Sequence, residues 1–209
     1  MKRVRFSVVG VCFLAMAASL SAHAGGPWYD RVARKAMESV EQRLESKTVP
    51  AAGNIEIAFS PHEGAEALVL KVIRSAKKEL LVMSYSFTSA SITEALIDAT
   101  RRGVVVHLVA DFRNNITEDR TGKPRAAFSA MTNAGVDTRL ISAYPISHDK
   151  VIISDGVTVE TGSFNFTAAA ANSNSENVIV HWNNPALADV YRQHFERNYR
   201  QSKPFDTRY

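Results

Sequence analysis

Residues His148 to Asn165 read HDKVIISDGVTVETGSFN, a spacing of H-x-K-x4-D-x6-G-S-x-N. The fixed positions are His148, Lys150, Asp155, Gly162, Ser163 and Asn165. Together these residue types suit phosphoryl chemistry. A neutral imidazole has a lone pair that can attack phosphorus and form a covalent intermediate. An ammonium group and a carboxamide can hold the non-bridging oxygens where charge collects. Gly-Ser allows a close backbone approach and adds a hydroxyl donor. Six fixed positions at ~5% usage each make a chance match about 10⁻⁸ per starting point.

The intervening residues supply the positioning. His148 and Lys150 are two apart, so on a strand they share a face. Val151-Ile152-Ile153 continues a buried strand, Asp155-Gly156 is a hairpin turn signal, and Val157 to Glu160 returns as the partner strand. The hairpin brings Ser163 and Asn165 back beside His148 and Lys150. Asp155 then sits at the turn, where a structural role outweighs a chemical one. Gly162 contributes backbone only.

Around this hairpin, strands alternate with helices. Residues 28–47 form an amphipathic helix with a stripe of Trp28, Val32, Ala36, Val40 and Leu44, and 48–54 form a linker. A strand over 55–59 leads to a helix capped by Ser60, with Pro61 and Glu63 in a capping box, running to about Lys78. Strand 80–85 follows, then a helix opened by the Ser91–Glu94 capping box and closed at Gly103. Strand 104–110, a polar segment from Arg113 to Arg125, helix 124–133, strand 136–141, the hairpin, strand 176–182 and a last helix from Asn184-Pro185 complete the order. This alternation argues an α/β fold in which a mixed β-sheet is layered between helices.

The motif resembles the HKD signature of the phospholipase D superfamily. The wider match is closest to its small single-motif branch, the Nuc-type bacterial endonucleases. It is carried by FSPHEGAEALVLKVIRSAKKELLVMSYSFTS (59–89), YPISHDKVIISDGVTVETGSFNFT (144–167) and NSENVIVHW (174–182), and covers about residues 55–205. The resemblance implies one phospholipase D-like catalytic domain over 55–205 and a phosphohistidine at His148. Lys150 and Asn165 bind the phosphate oxygens. Ser163 has two readings, support at the phosphate or orientation of His148. Glu176 looks like the family's downstream glutamate, which accepts a hydrogen bond from the nucleophilic imidazole. Two-copy members draw a second histidine from a second motif. Here His62, His107, His181 and His194 are not followed two residues later by lysine. His62 reads as part of a helix start, His107 as mid-strand, and His194 as a core residue on the apolar face of the last helix. The expectation is therefore a homodimer with a composite active site, in which one His148 attacks and the other acts as acid and then base.

The chain opens with Lys2, Arg3 and Arg5, an apolar run from Phe6 to Leu20 and Ala22-His23-Ala24. That is the pattern of a signal peptide over 1–24, and it implies a secreted or periplasmic protein with no stable membrane span after signal removal. The 25 basic residues include those three, so 22 remain against 21 acidic ones. Attraction for nucleic acid must then come from local clusters, of which Arg113, Arg120, Lys123 and Arg125 are the best candidate. Cys12, the single cysteine, lies in the apolar run, so the remainder has no disulfide and no thiolate metal site. No metal and no cofactor is called for by the motif. Tyr85-Ser86-Phe87, ending a strand, reads equally as base-stacking surface or core.

The leading expectation is an exported, metal-independent phosphodiesterase, a non-specific endonuclease on DNA, with RNA as a candidate second substrate. A phospholipase D or transphosphatidylase acting on phospholipids uses the same residues. A non-catalytic nucleic-acid-binding or secretion-associated protein is the reading from a different class.

Overall fold

The computed structural model describes residues 31–32, 34–35 and 46–207. The chain divides into two compact units, 1–48 and 49–209. In the first, residues 31–32 and 34–35 are helical; the expected signal peptide lies outside the described residues.

The second unit is one eight-stranded mixed sheet between helices. Its elements are β1 (Asn54–Ser60), α1 (Ala65–Ser75), β2 (Glu79–Ser84), α2 (Ala90–Arg101), β3 (Val105–Asp111), a π-helical turn (Arg113–Thr117), α3 (Lys123–Asn133), β4 (Asp137–Ile141), β5 (Lys150–Ser154), β6 (Thr158–Gly162), α4 (Ala168–Asn172), β7 (Glu176–Trp182), α5 (Pro185–Gln201) and β8 (Lys203–Pro204). The strand order is β1-β7-β6-β5-β2-β3-β4-β8. β2, β3 and β4 are parallel and joined by helical crossovers. The other neighbours are antiparallel.

Both faces of the central sheet are covered, so its strands are continuous apolar runs rather than alternating ones. Leu80, Val82, Leu108, Ile152 and Val180 pack on one face with Leu68, Val72 and Ile73 of α1 and Leu96 of α2. Leu81, Met83, Val109, Val151 and Ile153 pack on the other with Ala188 and Phe195 of α5. One consequence matters for chemistry. The C-terminal ends of β1, β2, β3 and β6 and the first residues of β5 and β7 all lie along one edge of the sheet.

Two expected helix starts are displaced. Ser60 does not cap a helix. It ends β1, paired with Glu176, and its hydroxyl is buried without a partner. His62 and Gly64 then take positive φ values of 67° and 86°, which no right-handed helix accepts, so α1 starts at Ala65. His62 is an exposed turn residue rather than part of a helix. The second helix is capped by Ser89, whose Oγ accepts from the Ile92 N–H at 3.3 Å. The Ser91 hydroxyl is drawn off to the Glu66 carboxylate instead.

Candidate active site

Lys150 opens β5, opposite Ser84 at the end of β2. Its side chain is buried, 5% exposed. The ammonium lies 3.1 Å from the His148 carbonyl oxygen and 3.3 and 3.4 Å from the two ring nitrogens. It also stands over the Tyr85 ring, 5.3 Å from the centroid. Burial lowers the Lys150 pKa below the ordinary lysine value, while Glu176 and Asp149 pull the other way. His148 precedes the strand rather than lying on it. It is exposed, and its ring tilts against Tyr85 with centroids 4.6 Å apart. Tyr85 is therefore a site residue, while Phe87 is fully buried core.

The remaining motif residues enter from β6 and β7. The Ser163 Oγ donates to Glu176 Oε2 at 2.6 Å and accepts from the Asn177 N–H at 3.0 Å. Glu176 Oε1 accepts from the Asn174 amide at 3.0 Å. Both carboxylate oxygens are thus engaged, and Glu176 makes no hydrogen bond to His148. The register explains this departure from expectation. Gly162 pairs with Val178, so Ser163, the residue that follows β6, lies opposite Asn177 and beside Glu176, the first residue of β7. Ser163 correspondingly holds Glu176 rather than His148. Gly162 permits a close approach, but to protein. A Cβ there would lie 2.2 Å from the Asn177 carbonyl oxygen. Asn165 is held between Phe164 and Phe166, both fully buried, and its Oδ1 is a buried atom without a partner. Such an atom marks a place for a ligand or water.

Asp155 stands apart from this group. Asp155 and Gly156 form a tight turn with φ values of 54° and 67°, a type I′ signature. The carboxylate accepts from the N–H groups of Lys77, Lys78 and Glu79 at 2.9, 2.8 and 3.0 Å. Burial works against its ionisation, yet those donors hold its pKa below the usual range. The turn lies at the far end of β5 from Lys150, about 15 Å at 3.3 Å per residue.

Several supporting residues escaped the sequence reading. Asp111, 1% exposed, accepts from the Asn114 N–H at 2.7 Å and the Ser147 N–H at 2.8 Å. Asn115, fully buried, donates to the carbonyls of Tyr85 and Asp111 at 2.6 and 2.8 Å and accepts from the Phe87 N–H at 3.0 Å. These bonds tie the ends of β2 and β3 to the segment before His148. The local hint is a pair of asparagines, Asn114-Asn115, three residues past the end of a strand. The π-helical turn also roots the basic segment at this edge. Arg113 pairs with Glu118 and Arg125 with Asp119, whereas Arg120 and Lys123 are exposed and make no ion pair. His194 is not a core residue. It is half-buried and bonded to Asp149. His107 is bonded to Asp137 at 2.9 Å. Among the described residues no cluster of three His, Cys, Asp or Glu side chains could hold a metal ion, and no helix is long and apolar enough to cross a membrane.

Residues 69–199 match a family described as cardiolipin synthase, PLD-like domain. The phospholipase D of Rickettsia bellii is 38% identical over 141 residues, spanning 68% of this chain and 67% of that one. The mitochondrial cardiolipin hydrolase of Xenopus laevis is 29% identical over 145 residues, spanning 69% and 66%. Among solved structures, a phospholipase D family member, Nuc from Salmonella typhimurium, superposes with a TM-score of 0.70 at 45% identity. It covers 73% of this chain and 97% of its own.

Proposed function

Because this chain belongs to the phospholipase D superfamily of phosphodiesterases, we propose that it is an exported, metal-independent endonuclease cleaving DNA through a phosphohistidine at His148. The observation that carries this reading is the contact of the exposed His148 ring with the buried Lys150 ammonium and the Tyr85 ring. A phosphate entering there meets the nucleophile and a fixed positive charge together, and the aromatic ring offers a base a stacking surface. Arg120 and Lys123 supply unpaired cations for flanking backbone phosphates.

In the first step a ring nitrogen of His148 forms an N–P bond as the P–O bond to the leaving strand breaks. The leaving oxygen takes a proton from an acid. In the second step water gives that proton back to the same group, attacks phosphorus and releases His148. Lys150 and the Asn165 amide carry the equatorial charge. The acid is the difficulty for a single chain. Among the described histidines, His107 is occupied by Asp137, His194 by Asp149, His62 lies in the exposed turn after β1, and His181 is at the opposite end of β7 from Glu176. A second copy supplying its own His148 resolves this.

A second reading, a phospholipase D on membrane lipid, is favoured by one feature. Tyr144 and Ile146, on the segment leading into His148, are 37% and 52% exposed and could rest on a bilayer. Incubation with plasmid DNA in excess EDTA, beside the His148→Asn variant, separates the readings. Degradation by the wild type alone supports the endonuclease. Degradation by neither, with release of headgroup from phosphatidylcholine or cardiolipin vesicles, moves the assignment to lipid. Equal degradation by both overturns the role of His148.

A further inference from the structure

Asp149 lies between the two motif residues, and strand alternation turns it to the opposite face from Lys150. That is the face of Val151 and Ile153, which pack beneath α5. There its carboxylate meets a built-in receptor. His194 Nε2 is 3.1 Å from Asp149 Oδ2, and the Asn198 amide donates to the same oxygen at 3.3 Å. The proton positions follow from the third partner. The Arg197 guanidinium lies against His194 Nδ1 and can only donate, so Nδ1 accepts and Nε2–H points at Asp149. Asn198 is 1% exposed, and its Oδ1 accepts from the Tyr144 hydroxyl at 3.1 Å. Gln201 donates to that hydroxyl in turn at 3.2 Å. One helix thus grips the 144–149 segment at both ends, and Asp111 grips it between them through the Ser147 N–H.

We propose that Asp149, seated on His194 and Asn198 of α5, is a positioning residue that aims the His148–Lys150 pair at the scissile phosphate. This rests on the phosphodiesterase reading above for its consequence, though not for its geometry. His148 is exposed and outside the strand, so no ladder of backbone bonds fixes it. A displacement of about 1 Å at a reacting group can cost on the order of 100-fold in rate. Lys150 is buried beside His148 and Tyr85, which give it no compensating charge. The acids that favour its protonated form are Glu176 and Asp149. Asp149 itself stays ionised, its pKa lowered first by the His194 hydrogen bond.

The test uses the full chain and the Asp149→Asn variant, which keeps the shape and an acceptor oxygen but removes the charge. The readouts are the pH–rate profile on a phosphodiester substrate and the titration of Lys150 in carbon-13 lysine-labelled protein, assigned by its loss in Lys150→Arg. We expect Asp149→Asn to keep the wild-type fold, to lower kcat on the order of 10-fold with little change in KM, and to move both the basic limb and the Lys150 midpoint to lower pH. His194→Gln, which retains a donor toward Asp149, should recover most of the activity that His194→Leu loses. An unchanged kcat in Asp149→Asn overturns the proposal, as does equal activity of the two His194 variants. If the wild type cleaves no phosphodiester, the function proposed above falls, while the placement of the His148 ring against Tyr85, read from their NMR cross-peaks in the wild type and Asp149→Asn, still decides this inference.

Discussion

Glu160 is the residue whose chemistry departs furthest from its surroundings. It sits mid-strand in β6 between Ile152 and Val180, fully buried, and neither carboxylate oxygen has a partner. Burial alone raises its pKa from 4.5 to about 8, so it is protonated at neutral pH. The linkage has a definite sign. The folded pKa lies above the unfolded one, so stability is complete below pH 4.5 and is lost as pH rises toward 8. A shift of that size corresponds to roughly 4–5 kcal/mol across the window, at 1.36 kcal/mol per pKa step. Denaturant unfolding from pH 5 to 9 should therefore show a falling midpoint in the wild type and a nearly level one in Glu160→Gln. Parallel curves for the two proteins would remove Glu160 from the account. Gly162 makes a second prediction at this scale. Its absent Cβ would lie 2.2 Å from backbone, not from a flexible side chain. Gly162→Ala should cost about 1–3 kcal/mol, measured by thermal unfolding, and should displace Ser163 from Glu176.

At the scale of elements, the β5–β6 hairpin is held as much from outside as from within. Three backbone N–H groups of the α1–β2 connection point into the Asp155 carboxylate. Asp155→Ala leaves them without that acceptor and should cost about 2–4 kcal/mol. Thermal unfolding would fall accordingly, while activity per folded molecule at 25 °C stays near wild type because the turn is remote from Lys150. A loss of activity without a loss of stability would mean that Asp155 belongs to the chemistry. This hairpin also shows what a sequence can disclose. Asp155-Gly156 was legible because positive φ at two adjacent positions is a local demand that few residues meet. Its partners, 76 to 78 residues earlier, carry no local mark. The same contrast separates the strands from the helix starts. Apolar runs such as Leu80–Met83 announce buried strands by themselves. Ser60 carried a good capping pattern, but pairing with Glu176 extended β1 through it. Ser91 opened the expected capping box, but Ser89 caps the helix, and the Ser91 hydroxyl donates to the Glu66 carboxylate on another helix. In the site, the motif disclosed His148 and Lys150. The register of β6 against β7, which turns Glu176 to Ser163, became visible only with the sheet assembled.

At the scale of the whole molecule, the distribution of apolar surface and the shortage of acids at the site bear on the same question. β1 is an edge strand, and a long edge with Ile55, Ile57 and Phe59 exposed invites association unless something covers it. Phe59 pairs with Asn177, next to Glu176, so this surface reaches the edge of the sheet where the motif gathers. His148 stands three strand spacings from β1, about 14 Å, so a two-fold dimer that brings two copies of His148 together must close over that end of the sheet and not along β1. Three measurements should then agree. The wild type should sediment as a dimer of the 23.0 kDa chain, or of its processed form. Ile146→Asp, on the segment leading into His148 and already 52% exposed, should keep the fold but dissociate the dimer and lose activity with it. The third is quantitative. If wild type and His148→Asn are mixed in equal amounts and refolded together, about a quarter of the dimers contain two intact histidines. Activity should then fall to about half of what the wild-type chains alone would give, because each mixed dimer lacks either its nucleophile or its acid. Independent sites would instead follow the wild-type fraction linearly. A linear response, or a fully active monomer, would place the acid within a single chain, and the half-buried Tyr85 ring against His148 would be the first group to examine for it.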